Sequence, residues 1–137
     1  MKRFVALAAV AMLAAACGAS SGSPGTPTPT SGGLGFDYTA TNTDHQVAMH
    51  VGQKLEVVLH AAQGMNNWSH PTSSDESVLK PIVDPAATAA VGVTLAAFQA
   101  MKAGEVDVTS NATPRCSPGQ ACPMYIALYQ LKVVVTT

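Results

Sequence analysis

The chain has 137 residues, of which 47% are hydrophobic and 11% charged, and its formal net charge is −1. A nucleic-acid-binding protein needs far more basic residues and a wholly disordered chain has fewer apolar ones, so both classes are excluded. The length corresponds to one ordinary domain rather than two.

The first segment has the organisation of a bacterial export signal. Lys2 and Arg3 precede an apolar run at 4–16, which is too short to cross a bilayer as a helix. Small residues then lead to Cys17, and this arrangement resembles the lipobox of bacterial lipoproteins, in which the chain is cut before a cysteine that becomes lipidated. We expect a signal peptide over 1–16 and a lipid anchor on Cys17, holding the protein to the extracytoplasmic face of a bacterial membrane. A signal peptide cut at an Ala-x-Ala site is the alternative.

A linker is predicted over residues 17–35. After Cys17 this stretch is almost entirely Gly, Ser, Thr and Pro, so it has nothing to bury and forms no packed element. Fully extended, it reaches at most about 60 Å. We interpret it as a flexible tether that separates a domain from the membrane.

Residues 36–137 form the single predicted globular domain, and their apolar residues alternate as strands require. Leu55, Val57 and Leu59 share one side of the segment 53–60, opposite charged and polar residues. Further strand patterns are found at 47–51, 78–83, 105–109 and 129–135. Short strands separated by turn residues predict an all-β protein, an Ig-like antiparallel β-sandwich.

One segment, 94–103, fits two structures. As a helix it would be capped by Thr94 and would end before Gly104, and its alanines favour that reading. As a strand it would place Ala96, Phe98 and Ala100 on the inner face. Local propensity alone prefers the helix.

A family resemblance favours the strand. The string Phe98-Gln-Ala-Met-Lys-Ala-Gly104 with the following Glu105-Val-Asp-Val108 resembles a hairpin of bacterial Ig-like domains, as do Trp68-Ser69 and Ser74-Asp-Glu-Ser-Val78. The resemblance implies a strand at 94–103.

The same layout, beginning with Val51-Gly-Gln-Lys-Leu-Glu56, is similar to chagasin-type cysteine protease inhibitors, which are also Ig-like. Members of that family plug a protease cleft with three loops at one end of the sandwich. The matching stretches here are 64–70, 90–94 and 113–124. The candidate binding residues in them are Met65, Asn67, Trp68, His70, Gly92, Arg115 and Met124.

Two cysteines remain once the lipidated one is set aside. An even number of cysteines in an exported protein predicts a disulfide, here between Cys116 and Cys122 across a turn at 118–119. The spacing is not Cys-x-x-Cys and no histidine is near in sequence, which disfavours a redox pair or a metal site.

Trp68, the single tryptophan, is expected in the core, the usual place of such a residue in Ig-like folds. The alternative is an exposed aromatic at a binding surface beside His70.

A copper or zinc site is the weakest of the functional alternatives. The residues that could supply ligands are His45, Met49, His50, His60, Met65, His70, Met101 and Met124. They form no clustered motif, and Met49 and His50 would point to opposite faces of a strand. We therefore expect no metal and no other cofactor.

No catalytic motif is found either. The sequence thus predicts a non-catalytic lipoprotein of the cell envelope, a binding or structural module with a possible protein partner there. A cysteine protease inhibitor is the first alternative and an extracytoplasmic metal binder the second.

Overall fold

The computed structural model of the protein describes residues 35–84 and 90–137. The signal peptide, Cys17 and all but the last residue of the linker lie outside the described residues. The described part is built from strands alone, without a helix that could span a membrane. The strands are β1 (Tyr38–Thr41), β2 (Gln46–His50), β3 (Lys54–His60), β4 (Thr72–Ser73), β5 (Leu79–Ile82), β6 (Val93–Ala100), β7 (Gly104–Ala112) and β8 (Ala127–Thr136).

The strands form two four-stranded sheets, which confirms the predicted all-β sandwich. Sheet A has the order β1-β3-β6-β5 and sheet B the order β2-β8-β7-β4. Both sheets are mixed rather than wholly antiparallel, because β1 pairs in parallel with β3 and β2 in parallel with β8. β1 and β3 run in the same direction because β2, which lies between them in sequence and runs the opposite way, belongs to the other sheet.

The core lies between the sheets and follows the alternation of the sequence. In β3, the three predicted inner residues Leu55, Val57 and Leu59 are fully buried, while the end residues of the strand are exposed. In β8 the inner residues are Tyr129, Leu131, Val133 and Val135, all buried. Alternating strands of this kind bury one face and leave the other to solvent.

The ambiguous segment is a strand as far as Ala100, and its residues 101–103 form the turn that follows. β6 lies between β3 and β5, so its backbone is paired on both edges. Its inner residues Ala96, Phe98 and Ala100 are buried, and Phe98 is among the largest fully buried side chains. Burial in the middle of a sheet therefore overrides the helical propensity of the alanines.

The two ends of the sandwich differ, and we name them by their connections. At the turn end, two hydrogen bonds of Ala100 join the short turns at 51–53 and 101–103. Gly52 N–H donates to the Ala100 carbonyl at 2.8 Å, and Ala100 N–H donates to the Gln53 carbonyl at 2.9 Å. The chain also enters the domain at this end, where Asp37 N–H donates to the Lys54 oxygen at 2.9 Å.

Candidate functional site

Three longer connections meet at the opposite end, which we call the loop end. The first loop is 61–71, the second is 83–92 (described at 83, 84 and 90–92) and the third is 113–126. They converge because β3 ends and β6 begins at the paired residues His60 and Val93, and β7 ends and β8 begins at the paired residues Ala112 and Ala127.

The first and third loops are joined by backbone hydrogen bonds. Asn66 N–H donates to the Thr113 oxygen at 2.8 Å, and Arg115 N–H donates to the Gly64 oxygen at 2.7 Å. A β-bridge pairs Met65 with Pro114 between these two bonds. The base of the third loop is therefore fixed to the first loop as a short ribbon.

The first and second loops are joined through Gly92. Its N–H donates to the side-chain oxygen of Asn67 at 3.0 Å, and its carbonyl accepts from Ala61 N–H at 2.7 Å. Two residues after Gly92, the Thr94 hydroxyl donates to the Trp68 carbonyl at 2.9 Å. All three loops are thus connected through the first one.

Trp68 anchors the first loop to the sandwich. Its indole is partly buried against the core and meets the ring of Tyr129 edge to face, with centroids 6.3 Å apart. The indole N–H donates to the His60 carbonyl at 3.0 Å. Trp68 therefore packs on the core, as the sequence favours, but at its margin rather than at its centre.

Tyr129 lies below Trp68 with its hydroxyl buried. No described residue accepts a hydrogen bond from it or donates one to it. Burial, with a smaller contribution from the charge of Asp44, raises the pKa of Tyr129 well above its ordinary value. The hydroxyl therefore stays neutral and has no acid–base role near neutral pH.

A disulfide closes the outer part of the third loop. It joins Cys116 and Cys122, the pair that the sequence predicts, with their Cα atoms 5.4 Å apart. Gly119 at the turn has a φ of 81°, which residues with a side chain adopt at a cost. The bond thus confines a loop whose residues are otherwise exposed.

Exposed apolar side chains are concentrated at the loop end. Of the eight large ones in the described part of the chain, six lie in the second and third loops or next to them: Val83, Val91, Met124, Tyr125, Ile126 and Leu128. Val91 is 90% exposed and Met124 is fully exposed. The other two, Val51 and Met101, are in the turns of the opposite end.

The three loops are also almost without charge, although the short 42–45 connection beside them carries Asp44. The sequences of the three loops contain one acidic residue, Asp84, which is buried, and one permanently positive residue, Arg115, which is exposed. Depletion of charge around exposed apolar and aromatic side chains is typical of the centre of a protein–protein interface. The site is therefore suited to bind a protein surface.

The candidate binding residues fall into two groups. His70, Arg115 and Met124 are exposed, and so is Asn67, although its side chain bonds Gly92. The others support the loops: Met65 is buried and accepts a bond from the Tyr125 hydroxyl at 3.3 Å, and Asn67, Trp68 and Gly92 make the contacts described above. The sequence pattern does not reveal the exposure of Tyr125, Ile126 and Leu128, because a run of apolar residues beside a strand is usually buried.

The candidate metal ligands are dispersed. Met49 is buried in the core and His50 is exposed on the other side of β2, as their adjacency predicts. Within residues 35–84 and 90–137, no three His, Cys, Asp or Glu side chains are placed so that they could hold a metal ion.

Comparisons with known proteins find similarity only among solved structures. No protein-family model matches the chain, and no curated protein does. The crystal structure of the cysteine protease inhibitor EhICP2 from Entamoeba histolytica is similar with a TM-score of 0.48 and 13% identity, over 72% of this chain and 93% of that one. The solution structure of amebosin is similar with a TM-score of 0.40 and 17% identity, over 72% and 96%. These comparisons do not support the resemblance to bacterial Ig-like domains, which stays a prediction.

Proposed function

We propose that this protein is a non-catalytic protein-binding module that binds its partner through the loop end, and that the partner is a papain-like cysteine protease. The observation that carries the proposal is the concentration of exposed apolar side chains on the second and third loops and beside them, with hydrogen bonds joining both loops to the first. Exposed apolar side chains concentrated at one end of a small domain indicate an interaction site.

Preorganisation supports binding by these loops. Their mutual hydrogen bonds and the disulfide fix the loops before a partner arrives, so less conformational entropy is lost on association. The apolar tips project from this fixed base and could enter a cleft.

The class of partner comes from the resemblance to chagasin-type inhibitors, whose loops match the stretches 64–70, 90–94 and 113–124. Apart from Val93 and Thr94, which begin β6, these stretches belong to the three loops that meet here. The tips carry other residues than that family: Gly64-Met-Asn-Asn-Trp68 replaces its Asn-Pro-Thr-Thr-Gly-aromatic string, and its Arg-Pro-aromatic motif is absent. Affinity therefore has to come from residues particular to this chain, above all Val91 and Met124.

A lipid anchor on Cys17 would suit this role. The proposed tether joins the domain at the turn end, where Asp37 pairs with Lys54, so the loop end would face away from the membrane. The Cys17→Ala chain should lose its association with the membrane fraction. Unchanged fractionation of that variant would contradict the anchor without bearing on the loop end.

Titration of papain with the purified protein tests the function. We expect hydrolysis of a peptide substrate to stop near an equimolar ratio, whereas full activity at micromolar excess would remove the protease from the proposal and leave a module with another partner. The chain offers a matched pair of variants. Val91→Ser with Met124→Ser should weaken inhibition about tenfold or more, and Val51→Ser with Met101→Ser, which are also exposed (43% and 48%) but lie at the turn end, should not change it.

A further inference from the structure

Strand β8 has an open edge next to the loop end. On one side β7 pairs with it from Ala127 to Val135. On the other side β2 pairs with it only from Lys132 to Thr136. The stretch 127–131 is therefore an edge strand, although β8 is a central strand along the rest of its length.

Alternation identifies the backbone groups on this edge. Lys132 N–H donates to the His45 carbonyl at 2.9 Å on the β2 side, so the N–H and C=O groups of Gln130 and Leu128 point to the same side. The opposite strand agrees: Asn111, the cross-strand partner of Leu128, uses its own N–H and C=O for bonds with Ser69, away from β8. Within the described part of the chain, the outward groups of Gln130 and Leu128 bond to nothing.

The two edges of sheet A are closed at this end of the sandwich. In sheet A, the side chain of Asn42 accepts a bond from His60 N–H at 2.7 Å and donates to the His60 carbonyl at 3.2 Å, so it takes the place of a neighbouring strand. The outer strand β5 contains Pro81, which has no N–H to offer. Proteins usually protect strand edges in such ways, and the edge of β8 lacks this protection.

Apolar side chains accompany the open edge. Leu128 is 80% exposed and Ile126, two residues earlier, is 62% exposed. Residues two apart in a strand share a face, so both flank any strand that would pair here. The edge thus offers two donors, two acceptors and an apolar border.

We propose that an extended segment of the protein partner bound at the loop end pairs with residues 127–131 and adds a fifth strand to sheet B. The inference rests on the proposed function and extends it, since β8 begins where the third loop ends and the two surfaces are continuous. The segment needs about five residues, with no proline opposite Leu128 or Gln130.

A second copy of the chain fits this edge poorly. Two-fold antiparallel pairing around Tyr129 would align Leu128 with Gln130 and Ile126 with Lys132 of the other copy. The place beside Lys132 is already taken by Gln46 of β2. A partner segment that ends or turns at β2 meets no such obstacle.

Amide hydrogen exchange of the full chain, alone and with papain, tests the inference. We expect the Leu128 and Gln130 amides to exchange freely in the protein alone and at least about tenfold more slowly in the complex. Protection already present without papain would overturn the proposal: if it depends on concentration a second copy covers the edge, and if not the chain itself does. Papain bound through the loops with both amides still exchanging freely would overturn it while leaving the proposed function intact. Absence of papain binding would overturn the inference and would also remove the protease from the proposed function.

A pair of variants gives a second measurement. Gln130→Pro removes an N–H that the fold does not use, and it should weaken papain binding about tenfold, the effect of losing one hydrogen bond. Gln130→Ala keeps the N–H and should bind within about twofold of the unchanged protein. Equal affinity of the two variants, with circular dichroism showing both folded, would contradict strand addition. If the proline variant does not fold, the exchange experiment decides.

Discussion

The turn end and the loop end of this sandwich use the same strands in different ways. At the turn end, the backbone N–H and C=O groups of the short turns form hydrogen bonds with each other and with neighbouring strands. At the loop end, hydrogen bonds join the bases of the loops, and the tips expose apolar side chains. Tight turns complete the fold, whereas the long loops keep a surface free for another molecule.

The largest expected effect tests how firmly the loop end is attached to the core. Trp68→Ala removes the ring that packs on Tyr129 and the N–H that bonds the His60 carbonyl, and it should lower the free energy of unfolding by about 3 kcal/mol. Trp68→Phe keeps a ring and should cost about 1 kcal/mol. Denaturant unfolding measures both. A loss well under 1 kcal/mol for the alanine variant would mean that the loops do not depend on the core.

Removal of the disulfide separates the loop end from the rest of the fold. The double variant Cys116→Ser with Cys122→Ser opens a seven-residue loop and should cost about 2 kcal/mol, the chain-entropy value for that length. Amide exchange should increase in the third loop and stay unchanged in β6. Faster exchange in β6 would contradict a local role for the bond.

Two glycine substitutions separate the effect of a steric clash from the effect of an unfavourable backbone φ angle. At the turn end, a Cβ on Gly104 would lie 3.1 Å from one methyl of Val78 and 3.3 Å from the other, so Gly104→Ala should cost about 1–2 kcal/mol through overpacking. Val78→Ala in the same chain should recover part of that loss. At the loop end, Gly119 has open space around it, and Gly119→Ala should cost about 1 kcal/mol for its φ alone. Equal recovery of both variants by Val78→Ala would contradict this distinction.

The smallest expected effect is a local response of the turn end to low pH. At the turn end, bonds from the Ser77 hydroxyl and then from its N–H lower the pKa of Asp75 below its ordinary value of 3.8. A depressed pKa in the folded state means that this contribution to stability is present above pH 3.8 and is lost as the pH falls through the lowered pKa. The Ser77 amide resonance should therefore shift in that range, and Asp75→Asn should abolish the shift. The Gly92 amide, bonded to the neutral side chain of Asn67, should stay in place; if it moved together with Ser77, the whole fold would be responding.

Much of the fold is predictable because it depends on local alternation. The pattern at Leu55, Val57 and Leu59 specifies which face of β3 is buried, and the same holds for β8. The parallel pairing of β1 and β2 is not predictable in this way, because nothing in a strand's own residues states which strand will lie beside it. The segment 94–103 shows the limit most clearly: its residues prefer a helix, and only its place between two other strands makes it a strand.

The candidate site was predictable in outline. The resemblance placed three loops together, and the cysteines predicted the disulfide. The exposure of Ile126 and Leu128 and the open edge of β8 depend on where β2 begins to pair, which is a property of the assembled sandwich. Residues such as Met65 and Gly92 were singled out for contact but hold the loops in place instead.

The parallel pairing of β1 with β3 has a mechanical consequence. Tyr38 aligns with Leu55 at the turn end and Thr41 with Val58 further toward the loops. If Cys17 anchors the chain and the loops hold a partner, as proposed, a pull on the linker acts along the axis of β1. The hydrogen bonds between the two strands are then loaded together in shear rather than peeled apart one after another. In that case, the pairing of β1 with β3 would resist tension between the proposed membrane anchor and the proposed partner at the loop end.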